Sequence, residues 1–296
     1  MMILCNPQNP SGRIWTKEEL SKIGELCNKY NVVVLSDEIH CDLTDPDCNY
    51  IPFASVSDVC KKCKCNMCVY FKRLFNVAGL HSATVIIPNE KLKNNVARGL
   101  NIDRYSSVNS FAIDATITAY TKGEKWLDEL RVYLCENKKI VYEFIEKEIP
   151  DLKVLKSEAT YLMWLDCSEI TKNSSELCNF IREKTGLYIS KGVNYKGNGI
   201  NFMRMNIACP KETLMDGLSR LKNGILEYKN KNDKNGIGEQ PMPLNLFLRI
   251  CFSLEFLVVY NKSFVSTFAN FTNFIKGCYF KSQLSAVNSN KFAFGC

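Results

Sequence analysis

The stretch Val32-Val33-Val34-Leu35-Ser36-Asp37-Glu38-Ile39-His40 decides the fold. Four apolar residues in a row, without alternation, suit a central strand of a parallel sheet covered on both faces. Ser36-Asp37-Glu38 then puts carboxylates at the C-terminal end of that strand, where open α/β sheets hold their ligands. Upstream, Thr16 is suited to cap a helix. Glu18 and Glu19 fall in its first turn, and Leu20, Ile23 and Cys27 share one face. Downstream, residues 83–87 read as a second strand, and 90–99, 112–122 and 126–148 as helices. The last of these takes its apolar face from Leu127, Leu130, Leu134, Val141 and Phe144. Residues 160–165 and 202–207 are strand-like, with a helix between them near 175–185. Strand-like runs alternating with amphipathic segments through about residue 230 are an α/β signature.

The whole chain has 296 residues, with 46% hydrophobic and 23% charged, which excludes a disordered or collagen-like polymer. A net charge of +7 is modest for this length and does not imply a nucleic-acid partner. Two histidines, His40 and His81, exclude a His-rich metal centre. Fifteen cysteines would suggest disulfides in a secreted protein. The opening Met1-Met2-Ile3-Leu4-Cys5-Asn6 has neither the charged region nor the apolar stretch of a signal peptide. The expectation is a cytoplasmic protein with reduced, mostly buried thiols.

Texture changes after residues 232–243. Ten of the seventeen phenylalanines lie beyond residue 243, where Glu255 is the only acid, so this part reads as a separate appendage. Residues 244–260 are interrupted by Arg249 and Glu255 and fall short of the ~20 clean residues of a membrane span, so no membrane partner is expected.

Three segments carry chemistry. Asn6-Pro7-Gln8-Asn9-Pro10-Ser11-Gly12 packs two Asn-Pro pairs and a glycine into a stiff, specifically shaped loop. Asp37 follows a buried strand and could equally cap the next helix. Arg204 is flanked by Phe202, Met203 and Met205, and a long cation there either snorkels to solvent or meets a carboxylate.

In this order the segments resemble the fold-type I enzymes that use pyridoxal phosphate, the class I/II aminotransferase superfamily, and within it the cystathionine β-lyase-like C–S lyases. Residues 35–43, with His40 where ordinary aminotransferases usually have Tyr, look like that subgroup. Phe75-Asn76-Val77-Ala78-Gly79-Leu80 resembles the stretch after the family's Schiff-base lysine, and residues 192–210 the segment with the carboxylate-binding arginine. The likeness covers residues 3 to about 228. It implies a large-domain remainder at 1–125 (mainly parallel sheet with helices), an α+β small domain at 126–230, and a linker and Phe-rich tail at 231–296. It also implies that the first half of the large domain lies outside this chain.

The resemblance further implies roles. Asn9 would meet the cofactor's phenolic oxygen with His40 beside it, Asp37 would pair with the pyridine nitrogen, and Arg204 would clamp the substrate carboxylate. The implied activity is β-elimination from cystathionine or related cysteine conjugates to thiol, pyruvate and ammonia. Transamination is the alternative, and a homodimer the implied assembly.

One position departs from the pattern. In Phe71-Lys72-Arg73-Leu74-Phe75-Asn76 the residue aligned with the family lysine is Arg73, whose guanidinium cannot form an imine. Lys72 is adjacent, and a one-residue bulge would be needed to bring it into place. Two expectations therefore stand side by side: an enzyme working through Lys72, and a chain inactive as written. Nearby, Cys60, Cys63, Cys65 and Cys68 have C-x2-C-x-C-x2-C spacing, which supports a rival, non-catalytic reading with a four-Cys zinc or iron–sulfur site.

Overall fold

The computed structural model describes residues 1–62, 66–71, 75, 78–80, 82–102 and 108–235, and Met1–Lys231 form one compact unit. Lys72, Arg73, Cys63, Cys65 and the tail beyond 235 lie outside the described residues.

Strand β1 (Met2–Cys5) leads to helix α1 (Lys17–Lys29). Thr16 starts the helix with a full capping box. Its hydroxyl accepts from the Glu19 amide, and the Glu19 carboxylate accepts from the Thr16 amide at 3.0 Å. Leu20 and Cys27 are buried beneath the helix and Ile23 packs beside them, the face the spacing predicts. Strand β2 (Val34–Asp37) follows, then the short helix α2 (Asp58–Lys62), strand β3 (Asn66–Phe71) and strand β4 (Ala83–Ile86). The sheet order is β1-β2-β3-β4, with the first three parallel and β4 antiparallel to β3.

Register makes the two faces of this sheet unequal. Met2 pairs with Val34 and Leu4 with Ser36, and this face is covered by α1, α2 and Phe53. Ile3 pairs with Leu35 and Cys5 with Asp37 on the other face, where Ile3 is exposed and Leu35 and Asp37 are half-buried. Among the described residues the buried apolar cluster of this sheet lies on the first of these faces.

Helices α3 (Glu90–Ile102) and α4 (Ser110–Lys122) precede the long α5 (Glu124–Glu148). A second sheet is built from β5 (Lys153–Val154), β6 (Leu162–Asp166), β7 (Ser190–Lys191) and β8 (Phe202–Asn206), in the order β5-β6-β8-β7 and antiparallel throughout. Helix α6 (Ser174–Thr185) lies between β6 and β7 in the chain, and α7 (Lys211–Asn235) follows β8. Val141 and Ile145 of α5, Leu177 and Ile181 of α6 and Leu218 and Leu221 of α7 join Met163, Leu165 and Met203 in one core.

Two polar residues of α5 are buried as well. Asn137 donates to the carbonyls of Ile207 and Cys209 at 2.9 and 3.1 Å. Lys138 reaches Asp45 at 2.6 Å. Both satisfy the rule that buried polar groups find partners.

Candidate functional site

The site grows from the C-terminal end of β2. Asp37 turns the chain there, its Oδ1 accepting from the Ile39 amide at 3.2 Å, a local turn rather than a helix cap. Its carbonyl accepts from the Asn6 amide at 3.0 Å, which fixes the start of the Asn-Pro loop beside it. Cys5, the register partner of Asp37, has its thiol pushed up by burial and then by the Asp37 charge, so the two side chains share one environment. Behind this face, buried Glu38 accepts from the Ser36 hydroxyl at 2.9 Å and the Phe53 amide at 3.0 Å, holding the strand end rigid.

The loop is set from within and from across the fold. Asn6 Oδ1 accepts from the Trp15 amide, and Gln8 Oε1 accepts from the amide and hydroxyl of Ser11. Gly12 has φ +71°, and a Cβ there would collide with Ser157, so both conformation and space require glycine. Glu158 closes the far side. Its amide donates to the Gly12 carbonyl at 3.0 Å and its carboxylate accepts from the Ile14 amide at 3.1 Å.

So held, Asn9 meets Arg204. The guanidinium donates to Asn9 Oδ1 at 3.2 Å and lies over the Tyr195 ring at 5.0 Å. Its Nε is buried and has no hydrogen-bond partner among the described residues. The sequence expectation of a carboxylate partner or a snorkelling chain is corrected on this point. The cation is held by an amide and an aromatic face, with one donor left open. Tyr195 is itself set by Trp164, edge-on at 5.4 Å, and Trp164 stacks on Phe202 at 5.0 Å. Gly192 and Gly199 bring their backbones together at the base of this loop, where a Cβ on either would strike the other's carbonyl.

His40 is buried in the turn after β2, with its ring edge-on to Tyr161 at 6.1 Å. The Tyr161 carbonyl accepts from the Ile207 amide just past β8. The fold thus brings Asn9 against Arg204, sets Asp37 at the root of the Asn9 loop, and joins His40 to the strand region of Arg204 through Tyr161. Tyr195, Tyr161 and Glu158 were not among the residues singled out from sequence. The glycines on either side of Tyr195 were the available signal, while Tyr161 and Glu158 carry none.

Further along the turn, burial followed by the Asp42 and Glu38 charges drives the Cys41 thiol well up. Burial also raises the Asp42 carboxyl, against the pull of Arg131. Arg131 donates to Thr44 and Asp45, so α5 clamps the segment that follows His40. Of the four cysteines with metal-ligand spacing, Cys60 is buried beneath α1, its thiol against Gly24 and 3.8 Å from the Leu20 carbonyl. Cys68 falls on β3, opposite Ser36 and Ile86. Among the described residues no group of three or more His, Cys, Asp or Glu could hold a metal ion. No helix among them is long and apolar enough to cross a membrane.

Known proteins resemble this chain in sequence and fold. The chain is 40% identical over 222 residues to the cystathionine beta-lyase PatB of Bacillus subtilis, covering 75% of this chain and 57% of that protein. A PLP-bound putative aminotransferase from Clostridium difficile superposes with a TM-score of 0.73 at 37% identity, over 75% of this chain and 57% of that one. The PLP-bound C-S lyase of Staphylococcus hominis gives 0.69 at 33% identity, over 76% and 58%. The chain therefore spans under three fifths of the length of these relatives. Its fold is that of the fold-type I enzymes. Residues 1–221 match the family aminotransferase class I and II, to which this chain belongs.

Proposed function

We propose that this chain supplies part of a pyridoxal-phosphate-dependent C–S β-lyase, acting on cystathionine or a related cysteine conjugate to give thiol, pyruvate and ammonia. The observation that carries the reading is the Asn9–Arg204 pair, with a buried guanidinium Nε left open. An open, buried donor on a positioned arginine is suited to a carboxylate, which takes two parallel N–H bonds from a guanidinium. Asp37 supports it as a half-buried carboxylate at the C-terminal end of a parallel strand.

These residues fit pyridoxal phosphate in donor and acceptor type. Bound, the cofactor supplies an electron sink for charge developing at the substrate Cα. In this reading Asp37 keeps the pyridine nitrogen protonated, and Asn9 and His40 face the phenolic oxygen. Arg204 orients the amino acid by its carboxylate, with Tyr195 and Asn9 holding the guanidinium in place. Burial of His40 and the Trp164–Phe202 stack exclude water from one side. Lys72 is the residue proposed to bond the cofactor, in place of the aligned Arg73.

The same reading assigns 1–125 to the large domain, 126–230 to the small domain and 231–296 to a linker and tail. It also includes a cytoplasmic setting and assembly as a homodimer. Transamination is the second reading, favoured by the class I/II family match and the Clostridium neighbour.

The test is to mix the purified chain with pyridoxal phosphate, reduce with borohydride, and map modified lysines by mass spectrometry. Stoichiometric labelling at Lys72, diminished by Asp37→Ala, is the expected result. Scattered labelling of surface lysines, or none, overturns the enzymatic reading of this chain.

A further inference from the structure

We propose that the cleft between α6 and β7 binds a small molecule bearing a polyvalent oxyanion, of the phosphate or polycarboxylate class. Cys178, Asn179 and Arg182 of α6 line it, together with Tyr188, Lys191 and Asn194 from in and around β7. None of these residues belongs to the Asn9–Asp37–Arg204 site, so the proposal goes beyond the function argued above. The cleft holds about 300 Å³, the lower end of the range for small-molecule sites.

Its charge is one-sided. Between residues 171 and 196 there are five cations (Lys172, Arg182, Lys184, Lys191 and Lys196) against two acids, Glu176 and Glu183, and neither acid lines the cleft. Four cations elsewhere in this half have carboxylate partners: Arg220 with Asp216, Lys222 with Glu148, Lys229 with Asp151 and Lys153 with Glu169. Among the described residues, Arg182 and Lys191 have none. Arg182 instead rests its guanidinium over the Tyr188 ring, 5.3 Å from the centroid, which orients the planar fork without neutralising it. Two cations without carboxylate partners lining one cleft repel, and a bound oxyanion relieves that repulsion.

The floor supports the same picture. Cys178 is buried, and burial lifts its thiol to about 11 while the nearby Lys191 ammonium pulls it back. Asn179 and Asn194 add neutral amide donors at the rim, and Ile189 an apolar wall. Fixed cations, amide donors and an apolar wall suit an anionic group carried on a small organic body.

The experiment is calorimetric titration of the full chain with inorganic phosphate and, separately, with citrate, ionic strength being held constant with sodium chloride. Saturable binding of at least one probe is expected. The double substitution R182A/K191A should weaken it about tenfold or more, on the scale of one lost charge-assisted hydrogen bond. Lys172→Ala, a cation outside the cleft, should leave it unchanged. Phosphate binding without citrate identifies the phosphate class, and the reverse the polycarboxylate class. Equal affinity in the native chain and a double variant with the same circular dichroism spectrum overturns the proposal. So does the absence of saturable binding for both probes.

Discussion

The two sheets solve the burial problem to different degrees. Around the antiparallel sheet, twenty buried apolar residues from three helices, two strands and the segments beside them close one core. Around the first sheet seven of the described residues do so, on one face, and the described residues leave Ile3, Ile86, Phe111, Ile113 and Ile117 exposed. Hydrophobic stabilisation follows area removed from water, so the two halves should differ in stability although both carry regular, well-capped elements. Secondary structure alone does not measure how far a core has been completed.

The largest expected effect tests that contrast directly. Leu218→Ala, in the fully buried core of the antiparallel half, should cost about 2–5 kcal/mol in urea denaturation. Phe111→Ser, on an α4 side chain that is 75% exposed, should stay within about 0.5 kcal/mol. Similar costs for the two would erase the distinction between the halves.

Alkali gives a second test, within the antiparallel half. Burial raises the thiol of Cys167 to about 12 and that of Cys178 to about 11, from 9.0. Both folded values lie above the unfolded one, so between pH 9 and 11 the unfolded chain releases these protons first. The native state then binds more protons than the unfolded state, and stability falls as pH rises. Urea midpoints followed by hydrogen exchange in β6 and β8 should drop over that window. The fall should flatten in Cys167→Ala and Cys178→Ala; an unchanged slope in both variants would place its source elsewhere.

Caps should give the smallest effect and be indifferent to the half they serve. Thr16→Ala at α1 and Asn173→Ala at α6 each remove a side-chain acceptor from a first-turn amide, a loss of about 1 kcal/mol. Matching losses, read by thermal denaturation, would show that the difference between halves lies in packing. A much larger loss at one cap would mean that its helix is held by the cap and not by its core.

What could be read in the sequence was local. Thr16 with Glu19 announced α1, and the apolar run before Asp37 announced a strand with a carboxylate at its C-terminal end. The structure begins that strand at Val34, two residues into the run. The Asn-Pro loop and Arg204 were legible as unusual residues, but their direct contact across 195 positions was not. Strand β3 was hidden because Asn66–Phe71 begins within a cysteine- and lysine-rich run that reads as a ligand motif. Helix α7 gave no announced start. Lys138 shows the limit clearly: on a helical wheel it is a surface cation, and only Asp45, 93 residues away, makes its burial tolerable. Periodicity reports which face an element buries, and not which distant group waits there.

The Asn-Pro loop has a mechanical meaning beyond its chemistry. It is pinned at one end, Asn6, to the tip of β2 and at the other, Gly12 and Ile14, to Glu158 in the approach to the antiparallel sheet. It therefore acts as a short strut between the two sheets, and its length sets the span between Asp37 and Arg204. A rotation of one sheet against the other must either bend this strut or carry Asn9 along with Arg204. Gly12, the joint nearest Ser157, is the pivot at which lengthening by one residue would be felt first.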